Sequence, residues 1–248
     1  MSAPNRYRLD CAFHGGGFHG WQRQPGLRTV QGELEEWLAK LLGSEAPIAV
    51  TGAGRTDAGV HARGMVAHFD WPDDIDTPQL LHRVISALPD DLTVHDLRQV
   101  DPGFHARYSA VQKAYEYRVS NQPSPFERDR TWFIHGDVNW DILSQTASAI
   151  IGENDFAGFC IAESVKPNTI CRIFSAQWHT DGAVWRFRIT GDRFLHQMVR
   201  LLVGTQIDIA RGRWPAERMQ EILTQRDVRL CGQAAPPHGL TLVSVEYP

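Results

Sequence analysis

Residues 29–43 read TVQGELEEWLAKLLG, and they constrain what the chain can fold into. Val30, Leu34, Trp37, Leu38 and Leu41 stand at offsets 0, 4, 7, 8 and 11, one apolar stripe of 3.6-residue period, with Thr29 placed to cap the helix and Gly43 to end it. Such a stripe must be laid against something, and its flanks read as strands: YRLDCAFH at about 6–13, IAVT at 48–51, GMVAHFD at 64–70 and LTVHDLRQ at 92–99. A second helix is expected with Thr77 as cap and Pro78 in its first turn, burying Leu81, Ile85 and Leu88 before Pro89 stops it. The resulting order is β-α-β-β-α-β.

After a turn-like DPGFH the same order recurs. A strand at 113–120 (KAYEYRVS) is followed by a helix at 139–151, capped by Asn139 and ended by Gly152. Strands near 170–178 and 183–190, a helix at 194–210 and a strand at 240–246 complete it, and Pro215 opens one further short helix. The repeat lies in the order of elements, not in residue identity. It predicts an α+β protein of two ferredoxin-like halves whose mixed antiparallel sheets flank a central active-site cleft. The expected domains are 5–103 and 104–248, with the boundary near 101–105.

With 248 residues, 42% hydrophobic and 22% charged, the chain has the composition of a globular protein, which excludes disordered, collagen-like and small disulfide-scaffold classes. No run approaches the roughly 18 apolar residues of a membrane span, and the opening MSAPNRYRLD meets charge before an apolar signal core could form. A cytoplasmic protein without membrane attachment is expected. Cys11, Cys160, Cys171 and Cys231 form no CxxC pair and have no ligand-like spacing to histidine, so reduced structural thiols are expected and no metal site is written in the chain.

The net charge of -4 does not advertise nucleic acid, but 22 of the 25 basic residues are arginine, whose planar fork suits phosphate. Residues 186–213 carry Arg186, Arg188, Arg193, Arg200, Arg211 and Arg213 against only Asp192 and Asp208. That is either a basic patch or ordinary solvated charge.

Gly15, Gly17 and Gly20 satisfy GxGxxG after a strand, yet Gln22, Pro25 and Gly26 follow where a phosphate-binding helix should begin, so no nucleotide cofactor is expected. His14–Gly17 spells the HGGG of some esterase oxyanion loops, but no GxSxG supplies a nucleophile. What remains is GAGRTDAGVHA at 52–62, between the second and third strands. Three glycines in eight residues permit close backbone approach around Asp57. A carboxylate there could act as a nucleophile without prior deprotonation. On composition alone, a tight turn with Arg55 and Asp57 as surface charges is equally open.

This eleven-residue string closely resembles the catalytic loop of the TruA family of tRNA pseudouridine synthases. Further matching blocks follow in order: Gly20–Gln24 with Thr29–Gln31, Phe104–Arg107, Lys113–Tyr117, Asp155–Phe156 with Phe159, Phe194–Arg200, and Pro237–Leu240. They cover nearly the whole chain. The resemblance implies a two-domain homodimer that isomerises uridines 38, 39 and 40 in the anticodon arm of tRNA, without a cofactor. Carried over by position, Asp57 is the nucleophile, Arg55 the loop arginine that helps the flipped-out nucleotide, and Tyr115 the active-site tyrosine. Arg200 is the arginine paired with the aspartate, and Leu240 the apolar residue packed beneath it. Arg186, Arg188 and Arg193 are candidate phosphate contacts. Tyr115 and Tyr117 are expected on opposite faces of their strand, one towards the cleft and one in its own domain. The resemblance is broken at Asp192, where a more neutral sequence is usual and a carboxylate would repel phosphate, and at Thr241, which stands for a common tyrosine. Alternatives are a non-catalytic tRNA-binding protein or folding chaperone of the same fold, and a pseudouridine synthase for other RNA positions.

Overall fold

A computed structural model of the chain describes residues 4–161 and 168–248. The chain divides into two compact units, Met1–Val111 with Leu242–Pro248, and Gln112–Thr241. Both are mixed α and β. Among the described residues no helix is long and apolar enough to cross a membrane.

In the first unit β1 (Asn5–Phe13), α1 (Val30–Leu42), β2 (Thr51–Gly52), β3 (His61–Trp71), α2 (Thr77–Ala87) and β4 (Leu92–Val100) follow one another. β1 lies between β3 and β4, antiparallel to both, and β2 adds to β3. Tyr7, Leu9, Cys11 and Phe13 alternate into the core, as period-two patterning requires. α1 is bounded as its sequence dictates: the Thr29 hydroxyl accepts from the Gly32 amide, and Gly43 takes the left-handed conformation at φ 72°. Val30, Leu34 and Leu38 are buried, while Trp37 and Leu41, at the edges of the stripe, are half-buried.

α2 departs from expectation in two ways. Its cap is Asp76, whose carboxylate accepts from the Gln79 amide, not Thr77. Its buried face is Leu80, Val84 and Leu88, while Leu81 is half-buried and Ile85 is exposed. Leu80–Val84 and Leu81–Ile85, one residue apart, both fit the helical period ahead of the shared Leu88, and packing on β4 and α1 selects between them.

The second unit contains β5 (Gln112–Ser120), β6 (Trp132–Phe133), α3 (Ile142–Ser148), β7 (Gly152–Asp155), β8 (Ile170–Asp181), β9 (Val184–Gly191), α4 (Met198–Ala210) and α5 (Arg218–Gln225). Its strands run in the order β5-β9-β8-β7, antiparallel throughout, with β6 parallel to β5. The last strand, β10 (Leu240–Glu246), begins in this unit and ends in the first. α3 is shorter than the expected 139–151, because Trp140 stacks on Trp185 at 4.7 Å and Asn139 accepts from the Asp141 amide instead of capping a longer helix. α4 likewise begins at Met198 and not at 194, since Gln197 before it is left-handed at φ 58°. Every residue of α4 except Arg200 is buried, the mark of a core helix.

The register corrects one expectation. Tyr115 lies opposite Ile189, and Tyr117 opposite Phe187, which itself faces Trp178. Residues two apart on a strand share a face, so both tyrosines point to the side covered by α4, where the Trp178 indole donates to Gln206. They differ along the strand, not across it.

Candidate active site

In the first unit the candidate loop 53–60 joins β2 to β3 and is held by backbone contacts. The Ala53 amide donates to the Val66 carbonyl at 2.7 Å, Trp21 to Thr56 at 3.1 Å, Gly59 to Phe18 at 3.4 Å and Val60 to Asp57 at 3.1 Å. Asp57 is half-buried and Arg55 exposed. The glycines that mimicked other motifs have their physical reason here. A Cβ on Gly15 would lie 2.1 Å from the Val60 carbonyl oxygen, and one on Gly20, at φ 88°, would lie 2.6 Å from that of Thr56. The segment 14–21 is therefore a rest for the loop, which only bare backbone can approach so closely. His61 closes the arrangement: its Nδ1 accepts from the Gly15 amide at 3.0 Å, and its ring sits 4.5 Å from that of His14. Sequence reasoning passed over Gly15, Gly20 and His61 as site residues.

Buried Glu35 of α1 anchors the approach to the loop. Its Oε1 accepts from the Val50 amide at 3.1 Å and the Gln31 side chain at 3.0 Å, and its Oε2 pairs with Arg23 at 3.2 Å. A carboxylate inside the helix stripe is costly to bury unless so satisfied.

In the second unit Tyr115 is half-buried on β5, its ring edge-on to Phe194 at 5.0 Å and 82°. Arg200 sits in the first turn of α4, and its Nε donates to the Ala235 carbonyl at 2.8 Å. The Ala235 amide donates back to the Arg200 carbonyl at 3.0 Å. Gly204 and Gly232 let the chain before Ala235 press on α4. A Cβ on Gly204 would lie 1.9 Å from the Gln233 carbonyl oxygen, and the Gly232 amide donates to the Thr205 hydroxyl at 3.1 Å. Arg200, Gly204, Thr205 and Asp208 recur at helical spacing, so one face of α4 carries this segment, a strap of residues 232–236. Burial raises the pKa of the Asp208 carboxyl against the opposing pull of Arg213, 2.7 Å away. At the end of the strap, the Tyr117 hydroxyl donates to the Pro236 carbonyl at 2.7 Å. Leu240 follows the turn at Pro237–Gly239 and is buried.

The candidate phosphate contacts lie elsewhere in this unit. Arg188 faces Glu116 and Gln177 across the sheet, and Arg186 faces Arg118 and His179, so both are on the face opposite to Tyr115. Arg188 is exposed, and Arg186 pairs with Asp181 at 2.6 Å. Arg193 donates to the Asn168 carbonyl at 3.2 Å. Asp192 has a structural use: its Oδ1 accepts from the Arg172 amide at 2.9 Å and the Arg193 amide at 2.6 Å, which closes the turn after β9. Its charge is thus partly compensated by backbone donors. Among the described residues no group of three metal-binding side chains occurs.

Compared with known proteins, residues 146–248 match the family described as tRNA pseudouridine synthase. The tRNA pseudouridine synthase A of Bacteroides thetaiotaomicron is 37% identical over 246 residues, covering 98% of this chain and 91% of that one. That of Bacillus subtilis is 38% identical over 244 residues, covering 97% and 99%. That of Cutibacterium acnes is 37% identical over 248 residues, covering 98% and 89%.

Proposed function

The chain belongs to the TruA family of tRNA pseudouridine synthases, and from that membership we propose that it isomerises uridine to pseudouridine in the anticodon stem-loop of tRNA, at positions 38, 39 and 40, with Asp57 as nucleophile. The observation that carries this reading is the loop at 52–62, whose Val60 and Thr56 carbonyls are approached so closely by Gly15 and Gly20 that Asp57 is presented on a fixed backbone.

A uridine inside a stacked stem cannot be reached, so it is extruded at a cost of a few kcal/mol. Arg55 supports the extruded nucleotide and Arg193 offsets part of the cost by holding phosphate, while Arg186 and Arg188, on the sheet face opposite to Tyr115, hold phosphates of the tRNA away from the extruded base. Asp57 attacks, the glycosidic C–N bond breaks, and the freed uracil rotates to present C5. A C–C glycosidic bond forms there, Asp57 is released unchanged, the C5 proton leaves with the help of Tyr115, and N1 takes up a proton. One glycosidic bond replaces another and no electrons are gained or lost. A partly withdrawn aspartate needs a counter-ion to stay charged, and Arg200 has that role. By the same motif match, Leu240 is the apolar residue of the site. These roles rest on the matched motif positions.

A homodimer belongs to the same reading, since a twofold partner supports the tRNA beyond the anticodon arm. The whole reading is tested by incubating the purified protein with an unmodified tRNA transcript and mapping pseudouridine. Modification confined to 38–40 is expected, and modification only at other positions would overturn the assignment. Light scattering is expected to give a dimer, and a fully active monomer would remove that part.

A further inference from the structure

The phenol of Tyr117 is fully buried, edge-on to Trp132 at 6.3 Å, and a Cβ on Gly239 would lie 2.6 Å from its Cζ. A hydroxyl so enclosed requires a partner, and it has one in the Pro236 carbonyl at 2.7 Å. The preceding carbonyl, that of Ala235, receives Nε of Arg200 at 2.8 Å. Two consecutive carbonyls are therefore tied to two side chains, one from β5 and one from α4. We propose that Tyr117 is a positioning residue whose hydroxyl, through the Pro236 carbonyl, holds the Ala235 carbonyl where it sets the plane of the Arg200 guanidinium. This rests on the counter-ion role given to Arg200 above.

The two tyrosines of KAYEY thus divide the work: Tyr115 assists at the base, and Tyr117 orients the arginine. Burial pushes the Tyr117 phenol well above its ordinary pKa of 10.0, so it remains a donor at every working pH. Phe at 117 would keep the ring and lose only the bond to Pro236.

The test compares single-turnover rates of the full-length protein, at saturating protein over tRNA transcript, for Tyr117→Phe, Arg200→Ala and the double variant. A misplacement of about 1 Å costs up to about a hundredfold in rate, so a loss of roughly ten- to a hundredfold is expected for Tyr117→Phe, with tRNA affinity within about twofold. Because Tyr117 acts through Arg200, the same change added to Arg200→Ala is expected to cost nothing further. A merely structural contribution would lower the melting temperature and cost the same in both backgrounds. Gly239→Ala attacks the same bond by crowding the ring, and is expected to reproduce the rate loss should Tyr117→Phe fold poorly. A normal rate in Tyr117→Phe or, if that variant fails to fold, in Gly239→Ala would overturn the proposal, as would an equal loss in both backgrounds. If Arg200→Ala is slow in either case, its own role survives. A full rate in Arg200→Ala would instead remove the counter-ion role and the proposal with it.

Discussion

Nε of Arg200 donates to the Ala235 carbonyl at 2.8 Å while the Ala235 amide donates to the Arg200 carbonyl at 3.0 Å. One residue of the strap thus fixes both the backbone and the side chain of the only residue of α4 that is not buried. A flexible arginine becomes a directed one. That preorganisation is what the counter-ion role proposed for Arg200 requires.

The loop around Asp57 is expected to show the same dependence on close approach. Gly20 and Gly26 both have positive φ, 88° and 69°, but a Cβ at Gly20 meets the Thr56 carbonyl at 2.6 Å whereas one at Gly26 meets nothing within 4 Å. Alanine at either position strains the backbone by about 1 kcal/mol. Only Gly20→Ala also displaces the loop, so it is expected to lose most of its turnover while Gly26→Ala keeps it. Parallel melts and rates check this, and equal activities in the two would contradict it.

Much of this arrangement is legible in the sequence, and the illegible part has physical causes. Thr29 and Gly43 define α1 because caps act locally. The stripe of α2 is not legible, because Leu80-Val84 and Leu81-Ile85 fit one period equally and only tertiary packing chooses. Gly15 and Gly20 look like phosphate-binding glycines because their use, bringing two backbones together, leaves the same residue type whichever partner approaches. The burial of Glu35 has no local signal, because the amide that satisfies it comes from Val50, fifteen residues away. The strap at 232–236 follows only from knowing which residues face α4.

Acid stability has an expected contributor in His68. Its Nδ1 accepts from the Ala106 amide at 3.2 Å, and burial first, then the charge of Arg6, lowers its pKa from 6.5 to about 4. The folded state therefore binds fewer protons than the unfolded chain between those values. The stabilisation is complete above about pH 6.5 and is lost as pH falls towards about 4, at most about 3 kcal/mol. Denaturant melts from pH 7 to pH 4 are expected to show a steeper decline for the parent than for His68→Gln. Parallel declines would contradict this assignment.

Salt separates arginines that hold phosphate from those that hold protein. If Arg188 neutralises one phosphate, Arg188→Ala is expected to flatten the plot of log affinity against log salt by about 0.7 to 0.9. Arg200→Ala is expected to leave that slope nearly unchanged, because its charge is directed to protein groups. A salt titration of tRNA binding measures both. An unchanged slope in Arg188→Ala would remove it from the RNA-binding surface.

Asp57→Asn decides whether Asp57 is the nucleophile, since the amide keeps the shape of the side chain and removes its anionic reactivity. Single-turnover pseudouridine formation and tRNA affinity are measured on the same purified variant. Affinity close to that of the parent and no pseudouridine are expected. Turnover by Asp57→Asn beyond what deamidation back to aspartate supplies would contradict that role.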